Sequence, residues 1–274
     1  MEIFTYTFIQ YAFLAGASTA LLSGILGPMV VSSRQSIASE MLAHVALAGV
    51  GLAAVFDFLP LTGAFIVLIL SALLLWWMIT REKYASDALA MLFLSGGLAL
   101  ALALVHVARN QAISFESYLF GSILTVTSGE LILMVVLTAG TLGAVLAFWY
   151  PLLGAVQTPA YRIPYSSRPQ YMQLLFFVLL ALTVFVGLKT VGGLLVGALL
   201  VIPVLAARNY AKSFRALTLL SVGIAEVSTF IGLVLSLYVD VPPSSVIILT
   251  LIVIFFIAAS VHKLAERGAK KIKG

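Results

Sequence analysis

Residues 8–31 read FIQYAFLAGASTALLSGILGPMVV, without a single charged side chain. An α-helix rises about 1.5 Å per residue, so a run of this length covers the roughly 30 Å hydrocarbon core of a bilayer. The run is too long for the core of a cleavable signal, and it ends in Gly27-Pro28 without a small-x-small cleavage pattern, so it reads as a retained span. Comparable apolar runs predict further spans at 37–56, 61–80, 88–108, 129–149, 171–188, 190–207, 215–238 and 245–262. Their lengths are helical, whereas barrel strands would alternate over about 10 residues. The 188–190 junction is very tight, so a count of eight spans with broken or re-entrant helices stands beside the count of nine.

Composition agrees with that reading. Of the 274 residues, 62% are apolar and 9% charged, and the mean hydropathy is +1.17, far from the balance of a soluble domain. The expected architecture is all-α: a polytopic helical membrane protein of about eight or nine transmembrane helices. Residues 1–274 read as a single transmembrane domain, with no internal repeat and no separate soluble part.

The net charge of +5 has a membrane explanation that needs no nucleic-acid partner. With nine crossings and the N-terminus outside, Arg34, Arg81/Lys83, Arg162/Arg168, Arg208/Lys212/Arg215 and the basic tail at 263–274 all fall in the cytoplasm. Asp57 and Asp240 fall outside, and Arg109 and Lys189 are the exceptions. Cysteine is absent, so a metal ion would have to be held by His, carboxylate, Met or backbone oxygen.

Between the spans, Thr127-x-x-Glu130 at the end of the 114–131 connection reads as a capping box, which gives Glu130 a local structural role. The connection from Trp149 to Gln170 holds four prolines and two arginines and reads as an exposed cytoplasmic segment suited to docking a partner. Gly193-x-x-x-Gly197 and Ala139-x-x-x-Gly143 have the spacing that lets membrane helices approach closely, and Pro203 is expected to kink the end of its span.

An ionisable side chain inside a span costs a few kcal/mol or more, so it marks function by default. Three stand out: Glu40, His44 and Glu226. Glu40 and His44 lie four residues apart, one above the other on a helix. Glu226 sits mid-span in SVGIAEVSTFIGLVLSL with no basic neighbour. Two carboxylates and a neutral imidazole form a mixed oxygen and nitrogen set that suits Zn²⁺, Mn²⁺ or Fe²⁺, with water or carbonyl oxygen completing an incomplete cage. Structural readings compete with this one. Glu40 would pair with Arg34, His44 would bond helix to helix, and Glu226 would be a protonated carboxyl donating to a carbonyl. His106 and His262 lie at span ends and read as interfacial residues.

Several stretches, in this order, resemble the membrane permeases of the zinc/manganese/iron class of ATP-binding-cassette importers. They are the Gly27-Pro28 turn, MLAHVALAGVGLA at 41–53, SYLFGSILTVTSGEL at 117–131, TVGGLLVGALLVIPVLAAR at 190–208 and YVDVPPSSVIIL at 238–249. The resemblance implies a permease of the type II importer fold, working by alternating access as a homodimer in a prokaryotic inner or plasma membrane. It implies a cytoplasmic ATP-binding subunit and an extracytoplasmic metal-binding protein as partners. The transported divalent ion is the cargo, with no permanently bound cofactor and no enzymatic activity in this chain. In keeping with that, the chain has no G-x-x-x-x-G-K-[ST] phosphate loop. The resemblance also places Glu40 where the family carries Asp in Asp-x-x-x-His, and Phe230 where a second His would follow Glu226. An alternative within the same class is a permease for a metal chelate such as a siderophore or cobalamin. An intramembrane metalloprotease is excluded, because H-E-x-x-H is missing.

Overall fold

The computed structural model describes residues 7–81, 86–108, 115–121, 126–157, 169–239 and 241–273. These form eleven helices and, among the described residues, no strand. In chain order they are α1 (Thr7–Ser32), α2 (Ser36–Phe56), α3 (Pro60–Thr80), α4 (Ser86–Ala108), α5 (Phe115–Leu119) and α6 (Ser128–Ala147). They continue with α7 (Trp149–Gln157), α8 (Pro169–Thr190), α9 (Gly193–Ala207), α10 (Phe214–Ser236) and α11 (Pro243–Lys273).

Eight of these are long and apolar enough to cross a bilayer. The expected span at 190–207 is α9, whose 15 residues reach about 22 Å, short of the roughly 30 Å hydrocarbon core. It is joined to α8 through a turn at Val191-Gly192. The other difference in boundary is α11, which runs on as one helix from its span into the basic tail.

The Gly27-Pro28 pair does not close the first span. Pro28 lies inside α1, which continues to Ser32. Proline removes a main-chain donor and crowds the preceding turn, a disturbance that neighbouring helices in a membrane bundle accommodate. Gly27 serves packing instead. A β-carbon there would sit 2.4 Å from the Leu200 carbonyl oxygen, so its absence lets α9 lie directly on α1.

Helices α1 and α2 are the most buried spans and form the centre of the bundle. Helix α2 packs on α3, α4, α8 and α9, and α1 packs on α6, α8, α9 and α10. Helix α11 lies on the far side against α9 and α10. Lipid offers no hydrophobic drive for these contacts, so backbone proximity supplies the van der Waals attraction. Gly49 of α2 and Gly63 of α3 show how close that is: a β-carbon on either would fall within 2.4 Å of the other's carbonyl oxygen.

A second glycine pair sets the outer connection. Gly121 follows α5 with φ +75°, Gly192 precedes α9 with φ +87°, and the backbones touch, so that a β-carbon on Gly192 would meet Gly121 N at 2.4 Å. The capping box at the start of α6 forms as expected. The Thr127 amide donates to the Glu130 carboxylate at 2.9 Å, and the Glu130 amide donates to Thr127 Oγ1 at 3.4 Å. The Ala139-x-x-x-Gly143 spacing of α6 has a different outcome from the one expected. Gly140 and Gly143 have nothing within 4 Å of where a β-carbon would stand, so this face packs on no helix of the described chain. Half of the 149–170 segment, residues 158–168, lies outside the described residues, while Trp149–Gln157 is helical.

Candidate metal translocation site

Helix α2 carries the two donors closest in sequence. Its buried positions run almost unbroken from Ala38 to Val50, and nearly all are aliphatic. Within that apolar column His44 is only 8% exposed, whereas Glu40, one turn towards the helix start, is exposed. The imidazole is not left to rotate. His44 Nδ1 lies 2.9 Å from the main-chain carbonyl oxygen of Glu40. A carbonyl can only accept, so Nδ1 carries a proton and Nε2 is the ring nitrogen left for another partner. That arrangement, with the far ring nitrogen donating to a backbone carbonyl, is the one that orients histidines as metal ligands.

Helix α9 leaves room beside these donors. A β-carbon on Gly193 would lie 3.2 Å from Ala43 Cβ, and one on Gly197 would lie 3.8 Å from Glu40 Cβ, so the Gly193-x-x-x-Gly197 ridge rests on the same stretch of α2. With no side chain at 197, the α9 backbone comes close to α2 at Glu40. The sequence suggested packing alone for this pair of glycines. Gly193 lies against Ala43 and Gly197 against Glu40, a relation visible only once α2 and α9 are paired.

The expected partner for Glu40 is absent. Glu40 and Arg34 form no ion pair, and Arg34 has the left-handed φ of 59° at the α1–α2 turn. Glu226 is half-buried in the middle of α10, and its carboxyl makes no hydrogen bond in the described structure, to a carbonyl or otherwise. Helix α10 packs against α1, α9 and α11, not as a neighbour of α2. Accordingly, among the described residues no three His, Asp or Glu side chains gather into a group that could hold a metal ion. His44 is bonded to the Glu40 main chain on α2, while Glu226 stands on α10, which packs on α1, α9 and α11. Four residues beyond it, Phe230 packs on Phe13 of α1 with ring centroids 5.3 Å apart.

The remaining ionisable candidates have structural surroundings. His262 stacks edge-on against Tyr210 at 5.8 Å, and His106 is exposed at the end of α4. Asp57 caps α2 in the left-handed conformation with φ 55°. Two features escaped the sequence reading. Tyr118 of α5 is held neutral to higher pH than usual by burial, with the Glu130 carboxylate adding to it. Arg215, at the start of α10, donates a hydrogen bond to the Tyr150 hydroxyl and lies over the Tyr150 ring at 5.7 Å. Neither contact has a local sequence signal, since each joins residues on different helices.

Comparison with known proteins adds three findings. The model of a family described as the ABC 3 transport family matches residues 5–262. Among relatives, the chain is 26% identical to a probable iron transport system membrane protein of Haemophilus influenzae, covering 94% of this chain and 91% of that one. It is likewise 26% identical to the high-affinity zinc uptake system membrane protein ZnuB of the same organism, over 84% and 88% of the two chains. Among solved structures it is similar to PsaBC from Streptococcus pneumoniae in complex with Fab, with a TM-score of 0.80, 24% identity, and coverage of 94% and 92%.

Proposed function

The chain belongs to the ABC 3 transport family, and on that premise we propose that it is the permease subunit of an ATP-driven importer of a divalent transition metal ion: zinc, manganese or iron. The observation that carries this reading is the anchored histidine. His44 Nδ1 is committed to the Glu40 carbonyl at 2.9 Å, which leaves Nε2 and the neighbouring carboxylate as a two-donor set inside an apolar span. A chelate enclosed in its own ligands would have no need of either group. Two donors hold an ion weakly, and a transport site has to release its cargo.

The remaining donors come from outside this helix. A carboxyl half-buried in mid-span needs cover other than lipid, because ionisable side chains in membranes face protein or water. Glu226, together with the unpacked small residues Gly223 of α10 and Gly140 and Gly143 of α6, supports a second copy of the chain as that cover. Small residues on an otherwise apolar face are what helix association in a bilayer uses. The ion then crosses between two copies by alternating access. Energy comes from a separate cytoplasmic ATP-binding subunit, since this sequence carries no phosphate-binding loop. An extracytoplasmic metal-binding protein delivers the ion.

The test is uptake of Zn²⁺, Mn²⁺ and Fe²⁺ by the permease reconstituted with its ATP-binding subunit, for the native chain, His44→Ala and Glu226→Gln. The reading expects uptake of one ion to collapse in both variants while assembly and ATP hydrolysis persist. Normal transport by both variants would overturn it and favour a permease for a metal chelate.

A further inference from the structure

On the cytoplasmic side of Glu226 an open groove of about 480 Å³ lies between α1, α6, α7 and α10, and Leu146, Tyr150 and Leu219 on its walls are 64%, 68% and 73% exposed. Its walls are mostly apolar side chains of α1, α6, α7 and α10, among them Ile25, Trp149 and Leu219, with Tyr150 and Thr218 as polar members and Arg215 as the charged group. On α10 the positions 215, 219, 222 and 226 fall on one helical face, at steps of four, three and four. That stripe runs from a guanidinium at the helix start to a carboxyl in mid-span, about 16 Å further along the axis. The groove borders this face from Arg215 to Val222, ending about one turn short of Glu226. The Arg208, Lys212 and Arg215 cluster marks its lower end as the cytoplasmic one.

Arg215 is exposed, and no carboxylate neutralises it among the described residues. It is nevertheless not free. Its hydrogen bond to the Tyr150 hydroxyl and its position over the Tyr150 ring tie it to the second residue of α7. Helix α7 in turn leads into the proline-rich cytoplasmic connection that joins it to α8. Once a second copy covers this face, two kinds of barrier to a cation stand in series on it: a mostly apolar stretch, and a positive charge at its lower end. A lone arginine at a cytoplasmic helix start could serve topology alone, but topology requires only a positive charge, not one clasped by an aromatic ring across a groove.

We propose that the Arg215–Tyr150 contact is the cytoplasmic gate of the metal path. The guanidinium, held by α7 at the cytoplasmic end of the groove below Glu226, repels the cation until movement of α7 withdraws it. The proposal rests on the metal-permease reading above, and its test separates the two. Proteoliposomes carrying the assembled transporter are loaded with the metal that the native protein transports, and leak is followed without ATP for the native chain, Arg215→Gln, Arg215→Lys and Tyr150→Phe.

The gate predicts that Arg215→Gln leaks faster than native by about tenfold or more, since a fixed charge opposing a divalent ion at a few ångströms is a large barrier even with partial screening. Arg215→Lys, which keeps the charge but loses part of the clasp, leaks less than Arg215→Gln. Tyr150→Phe, which removes the hydrogen bond and keeps the ring, leaks to an intermediate extent. Should Arg215→Gln misassemble, Tyr150→Phe carries the test by itself, because it alters one hydroxyl at an exposed site. Leak equal to native in variants that still assemble and take up metal overturns the gate and leaves the metal reading standing. A native transporter that moves no bare metal overturns both.

Discussion

If α9 leaves Glu40 uncovered because residue 197 has no side chain, then Gly197 is a position where size controls access and not stability. An alanine β-carbon there would lie 3.8 Å from Glu40 Cβ and 4.0 Å from Glu40 Cα, ordinary contact distances. Gly197→Ala thus costs nothing in packing and gains up to about 1 kcal/mol from the better helix propensity of alanine. Gly24→Ala on α1 is the control. Its β-carbon would stand 2.6 Å from Val222 Cα, a backbone atom that cannot swing aside, so α1 and α10 would have to separate, at about 1–3 kcal/mol. At about 2–4 °C per kcal/mol for a chain of this size, the two alanine variants should differ in Tm by an amount on the order of 10 °C. Thermal unfolding of the purified protein in detergent reads this directly. Gly197→Leu should then fold like Gly197→Ala yet lower metal uptake by about tenfold or more, the scale of losing a metal-site contact, because its side chain overlies the carboxylate. Equal loss of Tm for Gly197→Ala and Gly24→Ala would refute the open geometry at Glu40, and native uptake by Gly197→Leu would refute its role in access.

Other expectations follow from single contacts. Glu40→Gln keeps His44 anchored, because the anchor is a main-chain carbonyl; metal affinity by calorimetry should fall about 10–100-fold with Tm unchanged. Gly192→Ala meets both a positive φ and a β-carbon contact of 2.4 Å with the Gly121–Phe120 backbone, so it should fail to yield folded protein in a size-exclusion assay. Thr127→Ala removes the α6 cap and should cost about 1 kcal/mol in thermal unfolding, without changing which metal is transported. Tyr118 has a pKa raised above 10.0 by burial and then by Glu130. The stability it contributes is therefore complete below pH 10.0 and lost as pH rises through the raised value. Tyr118→Phe should flatten the alkaline limb of the unfolding curve above that pH.

Much of this protein was readable from one sequence because its solvent is uniform. In hydrocarbon every backbone group must be bonded within its own segment, so uninterrupted apolar length translates into helices, and the runs at 8–31 and 61–80 became α1 and α3 nearly residue for residue. The capping box was legible for a similar reason, since Thr127 and Glu130 satisfy each other within one turn. Glu40 and His44 could be paired by helical period alone. What failed was local reading of residues whose effect depends on a neighbouring helix. Gly27-Pro28 has the signature of a turn yet lies inside α1, because α9 packs against it, and Ala139-x-x-x-Gly143 has the signature of a packed ridge yet faces no helix of this chain. The sequence by itself determined the helices, the membrane and the chemistry of the donors. Only the tertiary structure decided that α10 packs on α1, α9 and α11, that Gly197 lies against Glu40, and that Arg215 reaches Tyr150. Those are relations between helices, set by which small residues let which backbones meet, and no periodicity within one helix encodes them.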